Sequence, residues 1–276
     1  MLSGTVGSGG FSRVCHYRDY HGNRFACKIT PNIHRKVFMN EMEILKSFPP
    51  NIRFPTVYDH FETENNSYMV MSLFRGSKIY NLEKYTDATL KSIARGITRC
   101  IALCEENEVI HLDIKPQNIM MSDPSEMALT KLIDFGHSVR GTEVLVRNPV
   151  GTLQYMSPEH ITYPYRVTSK SDIWAVGVIM YHLGTGFLPF DDDYSPRLMD
   201  KIRDETPDFD LIECPDLREF VRGLLEKDPA SRPSATDILK NPFLEGDIWN
   251  RYEGVLYPDE RIESYKRPGS HFISIH

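Results

Sequence analysis

Over residues 1–72 the apolar positions fall in short runs of β character broken by turns, and after Gly76 they recur at helical spacing. Val14 to Tyr20 and Phe25 to Ile29 are predicted strands, joined through His21, Gly22 and Asn23 as a hairpin turn. Residues 34–47 are apolar at 37, 38, 42, 44 and 45, which predicts an amphipathic helix stopped by Pro49 and Pro50. Two more strands are predicted at 56–62 and 67–73, with Glu64, Asn65 and Asn66 turning between them. Thr86 opens a long amphipathic run to Glu106, apolar at 90, 93, 94, 97, 101 and 103. Asp172 to Leu183 is strongly apolar and predicts a buried helix, and shorter helices follow at 195–204, 215–226 and 234–240. The outline is α+β, a small β-rich lobe with one main helix joined to a larger helical lobe. No internal repeat or low-complexity tract is visible, and residues 246–276, aromatic, charged and punctuated by Pro and Gly, read as a tail.

A chain of 276 residues suits one large domain or two small lobes, and either can bury a core. Its 41% hydrophobic and 25% charged content is ordinary for a soluble protein, and a formal charge of −6 argues against a broad nucleic-acid surface. The five cysteines, at 15, 27, 100, 104 and 214, form no CxxC pair, and an odd, scattered set suggests a reducing compartment. Cys100 and Cys104 share one face of the long helix and read as buried thiols. The start lacks a basic segment followed by an apolar run, and the longest apolar stretch, 173–183, is about half a membrane span. The expectation is an intracellular protein, cytoplasmic or nuclear, with no membrane or nucleic-acid partner.

Four motifs carry chemistry. Residues 7–14 read GSGGFSRV, where Gly7 and Gly9 let the backbone turn tightly and approach phosphates. Residues 25–29 read FACKI; in a strand Ala26 and Lys28 share a face, so one can lie flat against a base while the other reaches its phosphates. Residues 111–118 read HLDIKPQN between apolar flanks, offering Asp113 as a base, Lys115 as a cation beside it and Asn118 as a metal ligand. Asp134, Phe135 and Gly136 follow, with Asp134 as a second metal ligand. One base, one cation and two oxygen ligands for magnesium are what phosphoryl transfer from a nucleotide needs.

Together these motifs resemble a eukaryotic-type protein kinase over residues 4–245. The resemblance implies a bilobal fold with a catalytic domain at 1–245 (N-lobe about 1–72, hinge about 72–78, C-lobe about 79–245), ATP and Mg2+ as cofactors, and a protein substrate. It implies that Phe11 caps the phosphates, that Val14 touches the adenine, and that Glu41 pairs with Lys28, with Glu43 as the competitor two residues on. It implies a hinge of Ser72, Leu73 and Phe74 beside Met71 as gatekeeper, Met120 as the adenine floor, and a hydrophobic spine of Leu45, Val57, His111 and Phe135. GTLQYMSPE at 151–159 resembles the end of an activation segment, and DIWAVG at 172–177 the start of a buried helix. On the same ground Asp172 should bond the backbone near His111, and Glu159 should pair with Arg232.

Lys115 and Thr152 fit the serine/threonine pattern rather than the tyrosine one. HLDIKP and DFGH locally resemble Wee-type kinases, though GTLQYMSPE does not support that subfamily. Ser12 replaces the third glycine of the usual loop, SPE replaces APE, and Leu112 stands where Arg normally grips an activation-segment phosphate, at Ser138 or Thr142 for example. An isobutyl group cannot pair a phosphate, so activity is expected not to depend on that contact. The positions that hold carboxylates in arginine-directed kinases are Lys78, Gln117 and His182, so a strong arginine preference is not expected, and the RPGS of 267–270 reads as plain tail. Two other classes compete with an active protein kinase: a pseudokinase serving as a nucleotide-binding scaffold, and a small-molecule kinase, against which the peptide-docking segment speaks. Oligomeric state leaves no trace in the sequence.

Overall fold

The computed structural model describes residues 2–8, 12–74, 76–81, 85–122 and 130–245. The N-terminal lobe is a five-stranded antiparallel sheet: β1 (Leu2–Ser8), β2 (Arg13–Arg18), β3 (Arg24–Pro31), β4 (Val57–Glu62) and β5 (Asn66–Met71), in the order β1-β2-β3-β5-β4. Helix α1 (Arg35–Ser47) crosses between β3 and β4, entered through a 3-10 turn at Asn32–His34. The β2–β3 turn begins at Asp19, earlier than the periodicity indicates, because Asp19 Oδ1 accepts from the backbone N–H groups of His21 (2.9 Å) and Asn23 (2.8 Å). Gly22 completes it at φ +87°.

Every interior position of β3 is buried, so the strand serves two cores. Ala26 faces the main core with Phe38, Met42 and Leu45 of α1. Phe25, Cys27 and Ile29 face the other way and pack with Val70 under Tyr17, Tyr58 and Tyr68.

The C-terminal lobe is built on α2 (Asp87–Glu106) and α4 (Ser169–Thr185). Thr86 caps α2, its side chain accepting from Thr89 N at 3.2 Å. Cys100 and Cys104 are both buried on this helix, and burial pushes the Cys100 thiol up to about 11. A capping box of Thr168 and Ser171 starts α4, and Gly186 at φ +82° ends it. Ten consecutive residues of α4, Asp172 to Tyr181, are buried, so it runs through the interior, packed against α2 and α6 (Pro215–Leu224). The remaining helices are α3 (Pro158–Ile161), α5 (Ser195–Asp204) and α7 (Ala235–Leu239). Short strand pairs frame the cleft: β6 (Ser77–Lys78) with β8 (Ile119–Met121) and β9 (Thr130–Leu132), and β7 (Val109–Ile110) with β10 (Val139–Arg140). A further pair, β11 (Glu143–Leu145) with β12 (Arg166–Thr168), was given no sign by periodicity. Among the described residues no helix is long and apolar enough to cross a membrane.

Candidate active site

The turn between β7 and β8 carries residues 111–118. Its backbone is fixed from α4: His111 N donates to Asp172 Oδ2 at 2.7 Å and Leu112 N to Asp172 Oδ1 at 2.8 Å. Asp113 N donates to His111 Nδ1 at 3.2 Å, and burial pushes that imidazole down to about 4, so it stays neutral and can accept. Leu112 sits at φ +65°, a conformation that persists only where its surroundings hold it.

The Asp113 carboxylate points into the cleft and collects three donors. Lys115 Nζ reaches Oδ2 at 2.8 Å, Asn118 Nδ2 reaches Oδ2 at 3.0 Å, and the Thr152 hydroxyl reaches Oδ1 at 2.9 Å. Lys115 Nζ also donates to Thr152 Oγ1 at 2.8 Å, which closes a ring of base, cation and hydroxyl. Asn118 Nδ2 donates in addition to Asp113 O at 2.9 Å. Both contacts use the amide nitrogen and leave Asn118 Oδ1 uncommitted among the described residues.

A second constellation comes from the other lobe. Lys28 Nζ lies 2.6 Å from Glu41 Oε2 and 2.9 Å from Asp134 Oδ1, while Glu43 is exposed on the far side of α1. Burial alone would lower the Lys28 pKa, but Glu41 and Asp134 outweigh it and raise it. Burial likewise opposes ionisation of Asp134, yet the Lys28 ammonium brings that carboxyl down to about 2. Asp134 is held at φ +66°, and its side chain remains 39% exposed toward the cleft. The Asp134 carboxylate and Asn118 Oδ1 are hard oxygen donors on two segments joined by Ile133 N donating to Asn118 O at 2.9 Å. They suit a divalent cation that takes its other ligands from water and phosphates.

Phe135 is fully buried, its ring 4.7 Å from His111, 5.1 Å from Phe54 and 5.5 Å from Phe48. Phe48 and Phe54 were not among the expected spine residues. They flank a Pro-Pro turn that reads as a helix stop and nothing more. Of the spine expectation, Leu45 is buried in the main core and Val57 packs on its margin.

A cavity of about 220 Å3 joins the two constellations, lined by Lys28, Glu41, Asp113, Lys115, Asp134 and Thr152, among others. Of the nucleotide-side candidates among the described residues, only Lys28 lines this cavity, and the others lie on strands and connections outside its lining. Gly7 is opposite Val14 in the β1–β2 pair, Ala26 is opposite Met71 in the β3–β5 pair, and Met120 is the central residue of β8. Ser72, Leu73 and Phe74 follow β5, with Ser72 N donating to Thr56 O at 2.9 Å and the Phe74 ring 3.7 Å from Lys131 Nζ. Gly9 and Phe11 lie outside the described residues.

Leu112 is buried among Ile110, Val167, Val139, Val144, Val146 and Val150. The position that would hold a phosphate-binding guanidinium instead anchors an apolar cluster spanning the 111–118 turn and the β11–β12 pair. Ser138 is buried as well, its hydroxyl donating to His111 O at 3.2 Å, whereas Thr142 is exposed. Both expected structural pairings are present. Asp172 holds the 111–118 turn, and Glu159 meets Arg232 in a two-pronged contact at 2.9 and 3.1 Å.

A family model described as protein kinase domain matches residues 2–244. The chain is 31% identical over 265 residues to CDPK-related kinase 5 of Arabidopsis thaliana, covering 88% of this chain and 44% of that one. It is 31% identical over 255 residues to probable serine/threonine-protein kinase pXi of Dictyostelium discoideum, covering 89% and 36%. It is 32% identical over 283 residues to calcium-dependent protein kinase 33 of Arabidopsis thaliana, covering 95% and 52%. The chain thus spans about a third to a half of the length of these relatives.

Proposed function

The chain belongs to the protein kinase family, and on that premise we propose that it transfers the γ-phosphate of ATP to serine or threonine hydroxyls of protein substrates. The carrying observation is the ring of Asp113, Lys115 and Thr152 facing the Lys28–Asp134 contact across one cavity. An acceptor hydroxyl entering that cavity displaces one donor from Asp113. The carboxylate then orients the hydroxyl and takes its proton as the new P–O bond forms and the bond from the γ-phosphorus to the β–γ bridging oxygen breaks, ADP leaving with that oxygen. Lys115 steadies the transferring phosphoryl group, and Lys28, fixed by Glu41, holds the phosphates nearer the nucleotide. Asn118 and Asp134 would hold Mg2+, which when bound offsets the phosphate charge. Gly7, Gly9, Phe11, Val14, Ala26, Met71, Ser72, Phe74 and Met120 form the nucleotide surface in this reading.

The serine/threonine assignment is supported by Lys115 and Thr152 and by the similarity to serine/threonine-protein kinase pXi. Residues 1–245 act as the catalytic domain and 246–276 as a tail, in a protein that works inside the cell, in cytoplasm or nucleus. Five free thiols and the acidic balance favour that placement and a protein partner over nucleic acid. A nucleotide-binding scaffold without turnover is the other reading, and the engaged Lys28–Glu41 and Asp113–Thr152 contacts weigh against it.

The test is incubation with γ-labelled ATP, Mg2+ and a generic protein acceptor beside an Asp113→Ala control. Transfer that the control loses supports the kinase. Nucleotide binding with no transfer supports the scaffold, and transfer confined to a sugar or amine metabolite would replace the protein substrate with a small one.

A further inference from the structure

Helix α1 does more at the cleft than present Glu41. Val37, Asn40 and Glu41 stand at i, i+3 and i+4, so they share one helical face. All three meet the chain that contains Asp134 or its partner Lys28. Glu41 takes Lys28. Val37 closes on Gly136 so tightly that a Cβ there would lie 2.8 Å from Val37 Cγ1. Asn40 sits between them, and its Nδ2 donates to Ser138 O at 2.9 Å and to Gly136 O at 3.3 Å. A primary amide has two N–H bonds, so one side chain satisfies both carbonyls. These carbonyls lie two and four residues after Asp134, whose backbone is in the left-handed region at φ +66°. An aspartate in that conformation stays there only while its surroundings impose it. Lys28 imposes it through the side chain, and Asn40 through the backbone that follows.

We propose that Asn40 is a positioning residue for phosphoryl transfer: its amide clasps the backbone at Gly136 and Ser138 to α1, so that Asp134 faces the cleft whenever Glu41 holds Lys28. This rests on the kinase reading for its effect on rate, but not for the clasp itself. Asn40 touches no reacting atom. It sets the fraction of molecules in which helix and metal-binding carboxylate are in place together, and apparent nucleotide affinity scales with that fraction.

Asn40→Asp is the decisive variant, because it keeps shape and turns two donors into acceptors aimed at carbonyls. The expected result is a loss of about tenfold or more in affinity for a fluorescent ATP analogue with Mg2+, as for other hydrogen bonds whose loss leaves buried acceptors unpaired. The loss in kcat/KM should match, with a thermal midpoint close to that of the parent. Asn40→Gln keeps the amide and should recover part of the affinity. Arg35→Ala, on the same helix but in an exposed pair with Glu62, should change nothing. Amide exchange over residues 134–140 should quicken in Asn40→Asp without nucleotide present. Unchanged exchange and unchanged nucleotide affinity would overturn the proposal. So would losses that merely track a fall in thermal midpoint. If the parent binds nucleotide but transfers no phosphate, the kinase reading fails alone, and the exchange and affinity results still decide the clasp.

Discussion

The Thr152 hydroxyl donates to Asp113 Oδ1 at 2.9 Å across 39 residues of chain, and Thr152 Oγ1 itself accepts from Lys115 Nζ at 2.8 Å. The segment that would receive a peptide is therefore joined by a hydrogen bond to the group that would receive the proton. Thr152→Val keeps the volume and removes both contacts. Steady-state kinetics should show kcat lowered about tenfold to a hundredfold, the scale of a misplaced reacting group. Thr152→Ser should remain near the parent. A valine variant with the parent kcat would remove any positioning role for the hydroxyl.

Glu159 neutralises Arg232, which is 1% exposed and also donates to the carbonyls of Glu226 at 3.0 Å and Lys170 at 2.5 Å. Burial alone would raise Glu159, but the guanidinium contact outweighs it and lowers its pKa. Glu159→Ala leaves the cation buried with carbonyl partners only. Urea unfolding should register a loss of about 3 kcal/mol, the lower end for a broken buried pair. A loss under ~1 kcal/mol would mean that the carbonyls suffice.

Leu112 in its valine-lined cluster implies an activation segment held by packing. Phosphatase treatment should leave the transfer rate unchanged. Leu112→Ala should cost about 2–4 kcal/mol of stability by chemical denaturation, as large-to-small core changes do. Activity abolished by dephosphorylation and restored by phosphorylation at Thr142 would contradict this.

His160 is buried, its Nε2 accepting from Val150 N at 3.4 Å, and burial pushes it down to about 4 from an ordinary 6.5 despite the opposing pull of Glu159. Between those values the unfolded chain takes up a proton that the folded one refuses. Its stabilising contribution is thus complete above 6.5 and is lost as pH falls toward 4. His160→Gln removes one proton from that dependence. Denaturant titrations at pH 7 and pH 5 should show the variant losing about 2 kcal/mol less than the parent. Equal losses would mean that His160 titrates normally.

Lys78, Gln117 and His182 offer no carboxylate to a substrate arginine. A peptide array should show no dominant arginine near the acceptor; one dominating three residues before it would contradict the assignment.

Much of this architecture was legible because its signals are local. The apolar spacing of 34–47 and 86–106 marks α1 and α2 to within about a residue, since amphipathic helices bury one stripe. Strand β1 was not legible. Register shifts at Ser3–Thr5 and Thr5–Gly7 break its alternation, and glycines leave few side chains to show a pattern. The helix at 215–226 ends earlier, at Leu224. Fixed spacings marked Asp113, Asn118 and Asp134. Asn40 carries no such mark, because a polar residue on an amphipathic helix looks solvated until the chain 96 residues later folds against it. Phe48 and Phe54 are silent for the same reason, their shared role at Phe135 arising only in three dimensions.

Asp172 gives the 111–118 turn an unusual mechanical standing. The amides of His111 and Leu112 end on a carboxylate carried by the most enclosed helix of the molecule. Most functional loops belong to regions that open in small fluctuations well below the free energy of global unfolding. Opening of this turn has to break two hydrogen bonds to a buried side chain, so amide exchange at His111 and Leu112 is expected to be slower than in an ordinary surface loop. The turn that carries Asp113 is thereby tied to the interior of the larger lobe through a single side chain.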